Sequence, residues 1–448
     1  MSSPAPLAER LRARSIPVGV VGLGYVGLPL AALLAEAGFS VIGVDRDAAR
    51  VARINAGENP IEGREPDLGE LVAAAVTGGR LTATPDPGRL AAAGAVFVCV
   101  ETPVDEAHRP DYSSLEAACR VVGAVLGRGA LVVVESTLAP GTMNRLVIPA
   151  LLASSGGRAG RDFLVGHCPE RVMPGRLVRN MRTMSRVIGA ASEEAAEAMT
   201  AIYSAFVTGE LDVSDPLTAE LVKTSENAYR DVNIAFANQV ALICEQVGGD
   251  VFRVRELVNK SPGRLMLVPG AGVGGHCIPK DSWLLASSAG DGEAPVLRAA
   301  RELNDLMPAH VARLVADALG VAGVPTEGAR VAVLGYSYLE DSGDTRNSPT
   351  VALLAELEAM GCRAAVHDPF VPAYQGELAS VLEGAVCAVL MVAHSEYRAL
   401  DPAWLASIMR RAVLVDGRAV FDARALESAG FVHRRVGVGG RVGVAGVL

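Results

Sequence analysis

The residues best suited to chemistry lie in one glycine-rich stretch, PGAGVGGHCIPKD, Pro269 to Asp281, which delivers His276 and Cys277 and then Asp281. A lone cysteine is usually a small core residue. A segment this rich in glycine makes a poor core strand, however, and lets backbone N–H groups approach a ligand. A helix beginning near Cys277 would set the thiol at the positive end of the helix dipole, favouring the thiolate, with Asp281 one turn on along the same face. That arrangement suits a covalent nucleophile, although Asp281 alone could merely satisfy the dipole.

A second set lies in TAELVKTSENAYRDVNIAFAN, Thr218 to Asn238, where Lys223, Asn227 and Arg230 fall at i, i+4 and i+7, one face of a helix. Taken alone, such a stripe is more often a solvated face. Leu221, Val232, Ile234, Ala235 and Phe236 supply apolar surface, so the helix is expected to pack within the protein. A third set is Gly22, Gly24 and Gly27, a GxGxxG turn between an apolar run and a helical segment, with Asp45 closing the next apolar run. This is the dinucleotide fingerprint: a tight turn, a pyrophosphate on a helix N-terminus and a carboxylate for the ribose hydroxyls. Asp45 would repel a 2′-phosphate, which favours NAD over NADP, and Arg46 beside it could soften that preference.

These sets need elements to hold them. Val18 to Val21, Ser40 to Val44, Ala95 to Val100 and Ala130 to Glu135 read as strands, with a helix over Leu28 to Ala37. Strands alternating with helices imply a parallel, doubly wound α/β sheet. From Asp215 to Val247 the pattern is one long helix, and helical segments continue toward Leu319. A second α/β pattern begins with the strand at Arg330, followed by a helix over Thr350 to Met360 and a strand over Arg363 to His367. Val321 to Gly328 is the linker candidate, and the Gly/Val tail from Val436 is assigned no structure. The expected domains are 1–210 for NAD, 211–319 helical and dimerising, and 320–448 for the sugar nucleotide: two Rossmann-like parallel sheets joined by a helical middle.

Length suits several domains, since the chain has 448 residues. Hydrophobic content of 50% with charged content of 20% is globular. The net charge of −9, without a long basic block, argues against nucleic acid as partner. No apolar run reaches the ~18 residues that cross a bilayer, and the N-terminus lacks a signal core, so no membrane partner and a cytoplasmic location are expected. The 7 cysteines have neither disulfide nor zinc spacing, and no metal is expected.

GLGYVGLP, ESTLAPGT (Glu135 to Thr142), HCPERVMPGR (His167 to Arg176), the Lys223 helix, GVGGHC and the Gly335 to Pro349 stretch together resemble the UDP-glucose/GDP-mannose dehydrogenase family, in family order over nearly the whole chain. The resemblance implies NAD-dependent oxidation of a UDP-sugar C6 alcohol to a carboxylate in two hydride transfers, the aldehyde being held on Cys277 as a thiohemiacetal and then a thioester. It implies that Lys223 stabilises oxyanion charge, that Asn227 and Asp281 position or activate water, and that Thr137 and Glu170 hold the hydrolytic water or polarise the site. It places Tyr25, Val26, Arg46, Thr102, Thr137 and Arg346 at the cofactor. Glu170, Arg171, Val172, Lys223, Asn227, Arg230, Gly274 and His276 are placed at the sugar. CPERVMPGR and PGAGVGGHCIPKD take the form found in members acting on UDP-N-acetyl-D-mannosamine, with UDP-N-acetylglucosamine and UDP-glucose as alternatives; cell-surface polysaccharide synthesis and a homodimer are implied as well. Three departures stand out: Leu339 where many relatives carry lysine, Pro174 where UDP-glucose enzymes carry glutamate, and Glu101 where proline is common.

Overall fold

The computed structural model describes residues 5–61, 63, 65–160, 162–173, 175–289 and 293–439; Pro174 and the last nine tail positions, 440–448, lie outside them. Two compact units result, one from the described residues of 1–226 and 283–290, the other from those of 227–282 and 291–448.

The first unit is built on strands β1 Val18–Val21, β2 Val41–Val44, β3 Leu81–Thr84, β4 Ala95–Val98, β5 Leu131–Val134, β6 Leu164–His167, β7 Arg186–Ala190 and β8 Leu211–Ser214. They form one sheet in the order β3-β2-β1-β4-β5-β6-β7-β8. β1, β4, β5 and β6 are buried at every residue, as their unbroken apolar runs require when helices cover both faces of a parallel sheet. The expected parallel winding holds except at one place: β7 runs antiparallel to β6. The chain leaving β6 carries the CPER loop and only one short helix, Leu177–Thr183, and it enters β7 from the opposite end. Val21 is level with both Val44 and Val98, so the carboxyl ends of β1, β2 and β4 open where the strand order reverses, the place at which such sheets take ligands.

The second unit contains β9 Arg330–Leu334, β10 Arg363–His367, β11 Cys387–Leu390, β12 Val413–Asp416 and β13 Val432–Arg435, all parallel, in the order β10-β9-β11-β12-β13. The long helix Pro295–Val321 packs Met307, Val311, Val315 and Leu319 into the same core as Val331, Val333 and Val389. Val436, at the start of the tail left without structure from sequence, is buried in that core, and Val438 bridges Asp250.

The long helix expected from Asp215 runs over Pro216–Val247. Its burial departs from the expected pattern in part, for Ala235 is buried and Val232 and Ile234 are half-buried. Glu220, Lys223, Thr224, Asp231 and Asn238 are buried, whereas Leu221 is 40% exposed and Phe236 57%. Alanines 219, 228, 235, 237 and 241 let the buried face approach its neighbours closely, and Glu220, Asp231 and Asn238 are matched by hydrogen-bond partners described below. Among the described residues no helix is long and apolar enough to cross a membrane.

Candidate active site

In the first unit, Gly22 closes β1 with φ +86, and a Cβ there would meet the Cys99 carbonyl oxygen at 2.7 Å. A Cβ on Gly27, the first residue of the helix Gly27–Glu36, would lie 1.8 Å from the Gly22 oxygen, so strand and helix can meet this tightly only without side chains. A Cβ added to Gly24 would meet nothing within 4 Å beyond its own chain neighbours. That opening at a helix N-terminus is the space a pyrophosphate requires, so the turn fits a dinucleotide. Asp45 stands at the end of β2, its Oδ2 accepting from the Leu23 N–H at 2.8 Å and its Oδ1 from the Asp47 N–H at 2.9 Å. The cation beside it is Arg50, Nη1 at 3.2 Å, whereas Arg46 is exposed. Arg50 was not legible as a site residue, because only the helix Ala48–Asn55 brings it back over the carboxylate.

After β4 and β5 the chain places Thr102 against Thr137: the Thr102 hydroxyl donates to the Thr137 carbonyl at 2.7 Å, and Ser136 Oγ donates to Val100 O at 2.6 Å. Beneath them Glu135 is fully buried, paired with Arg186 at 3.1 Å and hydrogen-bonded by Tyr203. Its burial raises the carboxyl pKa, against the pull of Arg186. The Glu170 N–H donates to Glu135 O at 3.4 Å, and the Glu170 side chain is buried. Arg171 is turned to Glu226 at 2.6 Å and to the Ser185 carbonyl at 2.8 Å, while Val172 packs on the core. Lys223 is 5% exposed. One turn before it, Glu220 accepts from the N–H groups of Gly141 and Met143 at 2.6 and 2.7 Å, tying the APGT turn to the lysine helix. Neither Glu220 nor the Glu135–Arg186–Tyr203 group stands out in sequence, since each is assembled across distant segments.

In the second unit the helix expected near Cys277 begins at that residue, Cys277–Ala286, and the cysteine is half-buried. Asp281 Oδ2 accepts from Asn227 Nδ2 at 2.5 Å, and its Oδ1 lies 3.4 Å from Lys280 Nζ. The glycine loop lies against the segment before Pro349: Gly275 N–H donates to Arg346 O at 2.9 Å, Asn347 Nδ2 to Gly275 O at 3.1 Å, and a Cβ on Gly274 would strike Tyr338 at 2.5 Å. Burial first, then Lys280 and Arg346, lowers the His276 pKa to about 4, so its imidazole is neutral at pH 7. The Arg346 guanidinium forks Asp344 at 2.6 Å, and Arg230 is exposed.

Both ends of this loop are held by one buried hub. Asp231 accepts from Arg301 at 2.6 Å, Asn304 at 2.7 Å and Ser282 at 2.9 Å. Asn304 in turn accepts from Asn238, whose own carbonyl receives the Gly270 N–H at 2.9 Å.

A Ser337–His394–Asp368 grouping in the same unit resembles a hydrolytic triad only by composition. Ser337 Oγ and Asp368 Oδ2 both face His394 Nε2, at 3.3 and 3.1 Å, while Nδ1 accepts the Asp341 N–H at 2.9 Å. Nε2 therefore carries the proton and donates it to Asp368, and it cannot take one from Ser337. Burial would raise the Asp368 carboxyl, but His394 and the Ser337, Phe370 and Tyr336 amides bring it down to about 2. At the end of β10, Asp368 fixes the turn after β9 as Asp45 fixes the turn after β1.

A Rossmann-like unit with a dinucleotide turn and a second α/β unit bearing a cysteine at a helix start define an NAD-dependent oxidoreductase. Three consecutive family models match: the UDP-glucose/GDP-mannose dehydrogenase NAD binding domain over residues 16–207, the central domain over 217–306 and the UDP binding domain over 332–423. The chain belongs to the UDP-glucose/GDP-mannose dehydrogenase family and is an NAD-dependent nucleotide-sugar dehydrogenase. It is 38% identical over 423 residues to a UDP-N-acetyl-D-mannosamine dehydrogenase of Pyrococcus horikoshii, covering 94% of this chain and 99% of that one. A solved UDP-D-ManNAc dehydrogenase from that organism superposes with a TM-score of 0.89 at 38% identity, over 94% of this chain and 99% of the other. An NDP-N-acetyl-D-galactosaminuronic acid dehydrogenase of Ralstonia nicotianae is also 38% identical, over 91% of this chain and 96% of its own length.

Proposed function

We propose that this chain oxidises UDP-N-acetyl-D-mannosamine to UDP-N-acetyl-D-mannosaminuronate, with Cys277 as covalent nucleophile, as a step toward a cell-surface polysaccharide. The observation that carries the reading is a cysteine at a helix start with Asp281, one turn on, held by Asn227 at 2.5 Å. A relative named for this sugar at 38% identity, with others at 34% and 35%, supports the choice of substrate.

Bound NAD supplies the hydride acceptor for each oxidation. The chain's own groups do the remainder. As the first hydride leaves, the C6 hydroxyl proton is lost to water and Lys223 offsets the negative charge developing on the oxygen. Cys277 sulfur then adds to the aldehyde carbon, giving a thiohemiacetal from whose carbon a second hydride can depart. The resulting thioester is hydrolysed by water that Asn227, Thr137 and Glu170 orient and from which the Asp281 carboxylate takes the proton, returning the thiolate and the uronate. Neutral His276 and the glycine loop backbone offer hydrogen bonds to the sugar nucleotide without adding charge.

A homodimer in the cytoplasm is the setting we assign. A panel of UDP-N-acetylmannosamine, UDP-N-acetylglucosamine and UDP-glucose with NAD tests the reading, by counting NADH per sugar. Two NADH per UDP-N-acetylmannosamine, with poor turnover of the others, is expected. Preference for UDP-N-acetylglucosamine or UDP-glucose would move the assignment to that sugar, and one NADH per sugar would remove the thioester route.

A further inference from the structure

Glu65 lies in the loop between the helices Ala48–Asn55 and Leu68–Thr77, outside every motif described above. Its half-buried carboxylate joins two loops far apart in sequence. Oε1 accepts from the Tyr25 hydroxyl at 2.6 Å and from the Gly175 N–H at 2.7 Å, and Oε2 accepts from the Leu177 N–H at 3.2 Å. Tyr25 stands in the GxGxxG turn between Gly24 and Gly27. Gly175 and Leu177 follow Glu170, Arg171 and Val172 in the segment that leaves β6.

We infer that Glu65 is a positioning residue that couples the cofactor turn to the segment after Glu170, so that NAD bound on the turn stiffens the loop assigned to the UDP-sugar. The reasoning is local. Loops and helix ends open most readily, and the amides of Gly175 in the loop and of Leu177 at the start of its helix are anchored by this one carboxylate. Hydrogen bonds to a charged acceptor are the stronger kind, and three donors converge on it. A pyrophosphate over Gly24 restrains the residues of its turn, Tyr25 among them. Restraint of Tyr25 passes to Glu65 through the phenol and from Glu65 to the two amides. A ligand binding the stiffened loop then loses less conformational freedom, which is positive coupling between the two sites. The sugar half of this inference rests on the function proposed above; the cofactor half does not.

Hydrogen exchange of the full-length protein with NADH alone separates them. In the wild type, NADH should slow exchange at the Gly175 and Leu177 amides by about fivefold, the scale of a modest coupling. In Tyr25→Phe that slowing should vanish, although residues 18–27 remain protected by the cofactor and Glu65 keeps both amides. Glu65→Gln, which retains shape and loses the charge, should weaken the effect in the same way. Calorimetry with UDP-N-acetylmannosamine should show about fivefold tighter binding in the presence of NADH for the wild type and an unchanged affinity for Tyr25→Phe. Equal NADH protection of both amides in wild type and variants, or none in the wild type, overturns the coupling. Protection that depends on Tyr25 without any binding of UDP-N-acetylmannosamine upholds the coupling and removes the sugar assignment instead.

Discussion

The side-chain amide of Asn227 donates to Asp281 Oδ2 at 2.5 Å, joining the long helix to the helix that begins at Cys277. The bond fixes the carboxylate one turn from the thiol and leaves Asp281 Oδ1 beside Lys280 at 3.4 Å. Asp281→Asn should lower kcat by about a hundredfold, the lower end of general-base effects, with little change in NAD affinity. Steady-state kinetics and calorimetry check both halves, and a kcat near the wild-type value would remove Asp281 from the chemistry.

Cys277→Ser should abolish net uronate formation while binding of NAD and sugar largely survives, because a hydroxyl is a far weaker nucleophile than a thiolate at neutral pH. Alkylation of wild-type Cys277, followed by mass spectrometry, should be slowed by UDP-sugar. Uronate made by Cys277→Ser at the wild-type rate, with two NADH per sugar, would return the residue to an ordinary loop cysteine.

NAD should be strongly preferred over NADP. Asp45 is the carboxylate we assign to the ribose hydroxyls, where it would repel a 2′-phosphate, and its charge is partly offset by Arg50 at 3.2 Å rather than by Arg46. Asp45→Asn should narrow the preference by about tenfold, the effect of one charge-assisted hydrogen bond. Comparable catalytic efficiencies with the two cofactors in the wild type would show that Arg50 dominates the pocket.

The exposed side of the long helix carries Tyr229, Phe236, Ile243 and Val247, spaced at seven, seven and four residues, with exposures of 69%, 57%, 48% and 75%. An apolar stripe of this kind on a mostly alanine-packed helix suits a second copy of the chain. Light scattering should give a dimer, and Phe236→Glu should shift it toward monomer. A fully active wild-type monomer at micromolar concentration argues against the stripe as a subunit contact.

Acid should cost stability in a defined window. His167 is fully buried, its Nδ1 donating to Val134 O at 2.8 Å, and burial lowers its pKa to about 4; His276 is lowered to about 4 as well. Both lie below the unfolded value of 6.5, so the unfolded chain takes up the protons first as pH falls. Their contribution is complete above pH 6.5 and lost between there and about 4, each worth at most about 3 kcal/mol and His276 less because it is partly exposed. Urea midpoints at pH 7, 5.5 and 4.5 should show a shallower acid loss for His167→Gln than for the wild type. Parallel curves would mean that His167 has no part in it.

The sequence by itself determined β1 over Val18–Val21, β10 over Arg363–His367 and the long helix to within a residue, because apolar runs, glycine turns and helical period are local properties. The dinucleotide turn with Asp45, and the helix start at Cys277, were legible for the same reason. Tertiary structure alone decided which face of the long helix is buried. Tyr229, Phe236, Ile243 and Val247 point outward while Lys223, Asp231 and Asn238 go inside, Asp231 and Asn238 because their partners, Arg301 and Asn304, come from far along the chain. Direction in the sheet was decided the same way at β7, where the return of the chain after the CPER loop, rather than any pattern in RVIGA, sets it antiparallel to β6. Arg50 beside Asp45, Glu220 under the APGT turn and Glu65 between two loops are pairings across a fold, and side-chain partners at such separations leave no periodic trace in a single chain.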